Sequence, residues 1–127
     1  MIARLKRWFE ERRRTRGARR AALWPFVRRE FLGAHPTCAA CGTTEDLEVH
    51  HVVPFHVARS LELASWNLIT LCERPSRCHL LIGHGGDFRR ANPHVREDAA
   101  TALAGNRELA VDYARLASKA EELRSAA

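Results

Sequence analysis

The amino-acid sequence predicts a small α+β domain, with two short strands and a short helix at its centre and further helices on both sides. The prediction depends on a β-branched run around two adjacent histidines, a second apolar run about twenty residues later, and a helical segment after it. Four cysteines lie in two pairs, one before the first strand and one after the second. With 127 residues the chain is one ordinary domain, and its modest core would need such a staple.

The basic charge is concentrated at the N-terminus. Residues 1–35 hold 11 Lys and Arg against 3 acids, a net charge of +8, whereas residues 36–127 hold 10 against 12, a net charge of −2. A localised basic arm is typical of binding to nucleic-acid phosphates. The alternative is a solvated basic tail that aids solubility.

The compartment follows from what the sequence lacks. No apolar run reaches membrane-spanning length, and the first residues are charged where a secretion signal would be apolar. We therefore expect a cytoplasmic protein without a membrane partner. In a reducing compartment metal ligation is favoured over disulfides for the cysteines.

Three segments are predicted: a basic arm over residues 1–22, a core over 23–92 and a helical tail over 93–127. The arm has the apolar spacing of an arginine-rich helix that Gly17 interrupts. A second helix over residues 23–32 would have Pro25 in its first turn, end at Gly33 and pack on the core. The predicted contacts to nucleic acid are exposed arginines of these two helices, namely Arg12, Arg13, Arg14, Arg28 and Arg29.

The core and tail show local signals. Residues 44–54 and 67–72 favour strands, and residues 78–82 favour a helix that stops near Gly83. In the tail, Asn92 and the proline after it would start a helix that breaks near residue 105. From residue 107, leucines at positions 109, 116 and 123 recur every seven residues. They predict an amphipathic helix that covers the core or pairs with a second copy.

The four cysteines have the spacing of a metal cage. Cys38 and Cys41 form a zinc-knuckle pair, and Cys72 and Cys78 would complete a tetrahedral structural zinc site. The second pair is separated by five residues, so residues 73–77 must loop out. The alternative is four unrelated reduced cysteines.

The order of His51, Asn67 and His79, together with both cysteine pairs, resembles the signature of the HNH endonucleases of phages and bacteria. The resemblance covers about residues 24–92, including Trp-Pro-x-Val-Arg before the first cysteines and Cys-His-Leu-Leu-Ile-Gly-His after the last. It implies a ββα-metal core. Many HNH proteins have two Cys-x-x-Cys pairs at these places. Here three extra residues lengthen both the second pair and the gap from Asn67 to His79, so one insertion explains both departures.

The resemblance implies a role for each matching residue. His50 would ligate a divalent metal, His51 would be the general base, Asn67 would orient that base, and His79 would be a second metal ligand. His84 is a candidate third ligand, with a surface role as the alternative, because it lies five residues after His79 and helix faces repeat every four. His56 and Glu62 receive no role.

The function that follows is a metal-dependent HNH DNA endonuclease or nickase. Its cofactors would be a structural zinc and an active-site Mg, Mn, Ni or Zn ion. Its partners would be DNA, a second copy through the C-terminal helix, and proteins of a phage packaging or other nuclease complex, in a bacterial cell or phage-infected host. The alternative function is a non-catalytic zinc-stapled nucleic-acid-binding module, which would have no use for the complete histidine and asparagine set.

Overall fold

The structure is a computed structural model that describes residues 21–126. The predicted basic helix over residues 1–20, with Arg12, Arg13 and Arg14, lies outside the described residues. The elements run in the order α1 (Trp24–Ala34), β1 (Leu47–His51), β2 (Leu68–Cys72), a π-helical segment (His79–Gly83), α2 (Val95–Leu103) and α3 (Arg107–Ala126). Two 3₁₀ turns, Arg59–Leu61 and Ser65–Asn67, lie between the strands. None of the helices in this range is long and apolar enough to cross a bilayer.

The strands form an antiparallel pair with five residues on each side, from Leu47 opposite Cys72 to His51 opposite Leu68. Every residue of β2 is buried, as its continuous apolar sequence predicts for a strand covered on both faces. A two-stranded ribbon is marginal by itself, so this pair depends on the helices packed around it. The predicted α+β class and the order of strand, loop, strand and helix are confirmed.

Helix α1 differs from its prediction at its end and in its packing. Pro25 lies in the first turn as expected, but Gly33 lies inside the helix, which continues to Ala34. The end is made by the His35 N–H, which donates to the Phe31 carbonyl oxygen at 2.8 Å. No residue of α1 is fully buried. The helix therefore lies on the core near β1 instead of being embedded in it.

Helices α2 and α3 pack on each other and belong to the same core as the strands and cysteines. Val95, Ala99 and Ala110 are in one apolar cluster with Leu71 and Ile82. These helices therefore pack against the π-helical segment and share one apolar core with β2.

The predicted cap at Asn92 is two residues early, because His94 is the N-cap and α2 begins at Val95. Asn92 is fully buried, and its Oδ1 accepts the His94 N–H at 3.0 Å. Its Nδ2 donates to the Ile82 carbonyl oxygen at 2.9 Å and to Asp98 at 2.8 Å. Asn92 therefore ties the start of α2 to the π-helical segment.

Helix α3 turns its small residues inward. Leu109, Leu116 and Leu123 are 44%, 59% and 71% exposed, whereas the buried positions are Ala110, Ala114 and Ser118. The expectation that the leucines cover the core is wrong, because the inner face has room only for small side chains. Their pairing with a second copy stays a prediction.

The tightest approach to α3 is made by Gly85, just beyond the π-helical segment. Its φ is +66°, and a Cβ there would lie 2.5 Å from the Ala114 carbonyl oxygen and would overlap the Ser118 side chain. Gly86 has a φ of +94°, and a Cβ added at that residue would meet no atom within 4 Å. A side chain at Gly86 would therefore cause backbone strain alone, whereas one at Gly85 would cause both strain and steric overlap.

We expect Gly85→Ala to lower the free energy of unfolding by about 1–3 kcal/mol more than Gly86→Ala does, because only the first forces a side chain into packed atoms. Both substitutions place a Cβ at positive φ, so the second variant is the control for strain. Urea denaturation followed by circular dichroism measures the difference. Equal destabilisation would show that α3 yields freely at this contact.

Candidate metal centres and active site

The four cysteines meet in one place. Their sulfur atoms lie within 4.8 Å of one another, three of the side chains are buried, and none forms a disulfide. The sulfurs of Cys41 and Cys72 are 3.7 Å apart. Two sulfurs bound at about 2.3 Å to one tetrahedral ion would be roughly 3.8 Å apart. The predicted cysteine grouping is confirmed, and the group can hold a metal ion.

Local backbone structure brings the two pairs together. Cys38 and Cys41 lie on a turn that closes through the Gly42 N–H, which donates to the Cys38 carbonyl oxygen at 2.8 Å, and Gly42 has a φ of +78°. Cys72 is the last residue of β2, and Cys78 directly precedes the π-helical segment. The longer second pair therefore still converges with the first.

An arginine from α3 contacts this cage. Arg107 donates through Nη1 to the Cys78 sulfur at 3.1 Å, and through Nη2 to the Ser76 carbonyl oxygen. A hydrogen bond with Cys78 lowers the pKa of Cys38 well below its usual range, and the same bond raises the pKa of Cys78. A guanidinium beside clustered thiolates offsets their negative charge. Sequence reasoning missed Arg107 because no motif joins it to the cysteines.

Three histidines form a second group. Ring nitrogens of His50, His79 and His84 lie within 4.8 Å of one another. His79 Nε2 is 3.1 Å from His50 Nδ1 and 3.1 Å from His84 Nε2. These distances are close to those expected between nitrogens that share one ion at about 2.1 Å.

The proton positions on two rings leave a place for a cation. His84 Nδ1 lies 2.7 Å from the Arg90 carbonyl oxygen, which can only accept, so Nδ1 carries the proton. His79 Nδ1 is hydrogen-bonded to the Glu73 carboxylate in the same way. In their neutral forms, the form that binds a metal, the two rings face each other through bare Nε2 atoms, and two lone pairs at 3.1 Å cannot form a hydrogen bond. The residues present therefore fit a bound metal ion.

Burial favours the uncharged form of two of these rings, His50 and His84. It lowers the pKa of His84, and together with repulsion from His84 and His79 it lowers the pKa of His50 well below its usual range. His50 Nε2 is also a buried nitrogen without a hydrogen-bond partner among the described residues. Neutral imidazoles are the form that binds a metal.

The π-helical segment explains how His84 reaches the group. The His84 N–H donates to the carbonyl oxygen of His79, five residues earlier, at 3.1 Å. This turn is wider than an α-helical turn, and it brings the rings of His79 and His84 onto the same side. Gly83 occupies the position four residues after His79. A Cβ there would lie 3.3 Å from the His50 ring and 3.0 Å from Leu71 Cδ1. A glycine at this position therefore lets the π-helical segment approach β1.

His51 faces different neighbours from His50, as adjacent strand residues should. Its Nε2 lies 3.0 Å from the Glu62 carbonyl oxygen and so carries the proton, which leaves the lone pair of the neutral ring on Nδ1. The Trp24 ring of α1 lies over the imidazole with centroids 4.7 Å apart. His51 is 9% exposed, so its ring is held on several sides.

Asn67 shapes the loop that follows His51. Its buried side chain accepts the Val53 N–H at 2.7 Å and donates to the Val53 carbonyl oxygen at 3.1 Å. A further bond reaches the Leu61 carbonyl oxygen at 3.2 Å. The Asn67 amide therefore links the chain just after β1 to the chain just before β2.

The predicted arginines on α1 differ in their surroundings. Arg28 makes two 3.1 Å hydrogen bonds to the Glu48 carboxylate, whereas Arg29 is exposed. Their contact with nucleic acid stays a prediction, as it does for the three arginines of the arm.

The comparison with protein families gives a match that encloses both groups. Residues 38–85 match the family described as HNH endonuclease. The matched segment is similar to the HNH endonuclease family. Comparisons with curated proteins and with solved structures give no match. The HNH family consists generally of nucleases, and the match supports a nucleic-acid-related function with a metal site. Helices α2 and α3, with Arg107, lie beyond the matched residues.

Proposed function

We propose that this HNH domain makes the protein a metal-dependent DNA endonuclease or nickase that hydrolyses phosphodiester bonds. The observation that carries the proposal is the pair of bare Nε2 atoms on His79 and His84, with His50 Nδ1 beside them. His51, the next residue after His50, provides a basic nitrogen that is separate from those of the three metal-binding histidines. Nuclease chemistry needs both a metal centre and a base.

His50, His79 and His84 would hold the active-site ion. A bound divalent ion would withdraw charge from the phosphoryl oxygens and stabilise the leaving 3′-oxygen. Imidazole ligands suit Mn, Ni or Zn, whereas Mg prefers oxygen ligands, so several ions would bind and fewer would support turnover.

His51 would remove the proton from the attacking water. The Glu62 carbonyl oxygen fixes the tautomer, and Trp24 holds the ring plane, so the basic nitrogen has a defined direction. Asn67 would act through the loop, because it anchors Val53 two residues after the base. A base whose orientation is fixed loses less entropy at the transition state.

The decisive experiment incubates purified protein with supercoiled plasmid and separate Mg, Mn, Ni and Zn ions. We expect nicked or linear product, and we expect His51→Ala to lower the rate by a factor on the order of 10² to 10⁴, the usual contribution of a positioned base. Binding of DNA and of metal should be retained.

His94→Ala is the matched control, because His94 is exposed at the start of α2. Cleavage by His51→Ala at the control rate would remove the proposed base. No cleavage with any ion would favour the alternative function, a non-catalytic zinc-stapled nucleic-acid-binding module.

The cysteine cage supports a structural zinc. Four sulfur ligands without an oxygen or nitrogen donor are typical of closed structural zinc sites. We expect about one tightly bound zinc per chain after purification, since such a site contributes to folding. Elemental analysis and thiol titration in the folded state measure it. Four freely reacting thiols in a stable, metal-free protein would refute this prediction.

The basic arm would provide affinity for DNA without reading bases. Replacing Arg12, Arg13 and Arg14 with alanine should weaken binding and flatten its dependence on salt, because fewer counterions are released. The control replaces three exposed cations of α3, Arg115, Lys119 and Arg124, with alanine, which changes the net charge equally. Fluorescence anisotropy at several salt concentrations gives both slopes. Equal slopes for the two triple variants would show that the arm has no special part.

Partners beyond DNA are also proposals. The exposed leucines at positions 109, 116 and 123 support a homodimer through α3, because a stripe of apolar side chains is stabilised when a second copy covers it. Proteins of a phage packaging or other nuclease complex are the remaining proposed partners.

A further inference from the structure

We propose that Glu73, the first residue of the segment between Cys72 and Cys78, is a positioning residue for the histidine metal centre. The inference depends on the metal centre of the proposed function. Its carrying observation is the hydrogen bond between the Glu73 carboxylate and His79 Nδ1.

The three histidines are oriented in different ways. His84 Nδ1 donates to a neutral carbonyl, that of Arg90, and His50 Nε2 has no partner among the described residues. In this triad His79 is the ring held by a negative charge, which is a stronger acceptor than a neutral oxygen. His79 Nε2 is also the nitrogen that lies 3.1 Å from both other rings.

A carboxylate on the far nitrogen has two effects on a metal-binding imidazole. It fixes the tautomer, so that the lone pair of His79 points at the other two histidines, and it raises the basicity of that lone pair. The His79 side chain is 15% exposed and Glu73 is 38% exposed. Glu73 therefore lies at the edge of the centre, behind its ligand.

The position of Glu73 in the chain depends on the cage. Glu73 follows Cys72 directly and His79 follows Cys78 directly, so both partners are adjacent to sulfur ligands. The Glu73 N–H donates to the Asp46 carbonyl oxygen at 2.8 Å, which fixes its backbone after β2 ends. With residues 73–77 looped out, the carboxylate can fold back onto His79.

The experiment measures binding of Ni²⁺ by isothermal titration calorimetry to the full chain with one zinc per chain, the amount that the cysteine cage alone would hold. We expect Glu73→Ala to raise the Ni²⁺ dissociation constant about 10-fold to 100-fold, the usual effect of losing such a partner. Glu73→Gln should recover part of the affinity, because its amide oxygen still accepts the Nδ1–H. Zinc content and melting temperature should stay at the wild-type values in both variants.

The matched control is Asp46→Asn, which removes one carboxylate from the same region. Asp46 pairs with Arg74 at 3.0 Å, and asparagine tolerates its φ of 51°. We expect its Ni²⁺ affinity to be unchanged. An unchanged dissociation constant in Glu73→Ala would overturn the inference, as would an equal loss in Asp46→Asn.

The same proteins tested on plasmid separate this inference from the proposed function. Suppose that Glu73→Ala weakens Ni²⁺ binding, and that the wild-type protein fails to cleave plasmid with any of the ions. This result would overturn the proposed nuclease and support the positioning role of Glu73. If the wild type cleaves plasmid, and Glu73→Ala has the same Ni²⁺ affinity and the same cleavage rate, the nuclease is supported and the positioning role of Glu73 is overturned.

Discussion

The structure depends on the meeting of four cysteines. The hairpin has only five residue pairs, and α1 has no fully buried residue, so neither would persist alone. The cysteines join the turn after α1, the end of β2 and the start of the π-helical segment. Cys72 directly precedes Glu73, and Cys78 directly precedes His79. The cage therefore fixes the chain segments whose geometry the histidine centre needs.

Close approach of backbones is the second constraint. Gly83 lets the π-helical segment lie against the His50 ring, and Gly85 lets the next turn lie against α3. The Arg90 carbonyl oxygen orients His84, and the Arg90 side chain pairs with Glu122 of α3. The C-terminal helix thus supports the metal centre from behind, although it lies outside the residues that match the HNH family.

Local patterns predicted much of this structure. The two strands, the π-helical segment after Cys78 and both tail helices were found within a few residues, because periodicity and turn residues act over short distances. His84 stayed open because a π-helical turn does not show in sequence spacing. Small residues are buried on α3 because Gly85 lies close to this helix. That contact is a tertiary one between distant parts of the chain, so local sequence patterns do not show it. The sequence predicted only that the segment containing Glu73 loops out. No sequence signal shows which group accepts the Nδ1 proton of a histidine that binds metal through Nε2.

The charges of the proposed nuclease divide the work between two parts of the chain. Burial lowers the pKa of His50 and of His84, which favours the neutral form of these two imidazoles. Residues 36–127 have a net charge of −2 and residues 1–35 a net charge of +8. Attraction to a polyanion must then come from the N-terminal part, while the core provides ligands and a base. Salt should therefore act on DNA binding far more than on metal binding, because counterion release belongs to the first alone.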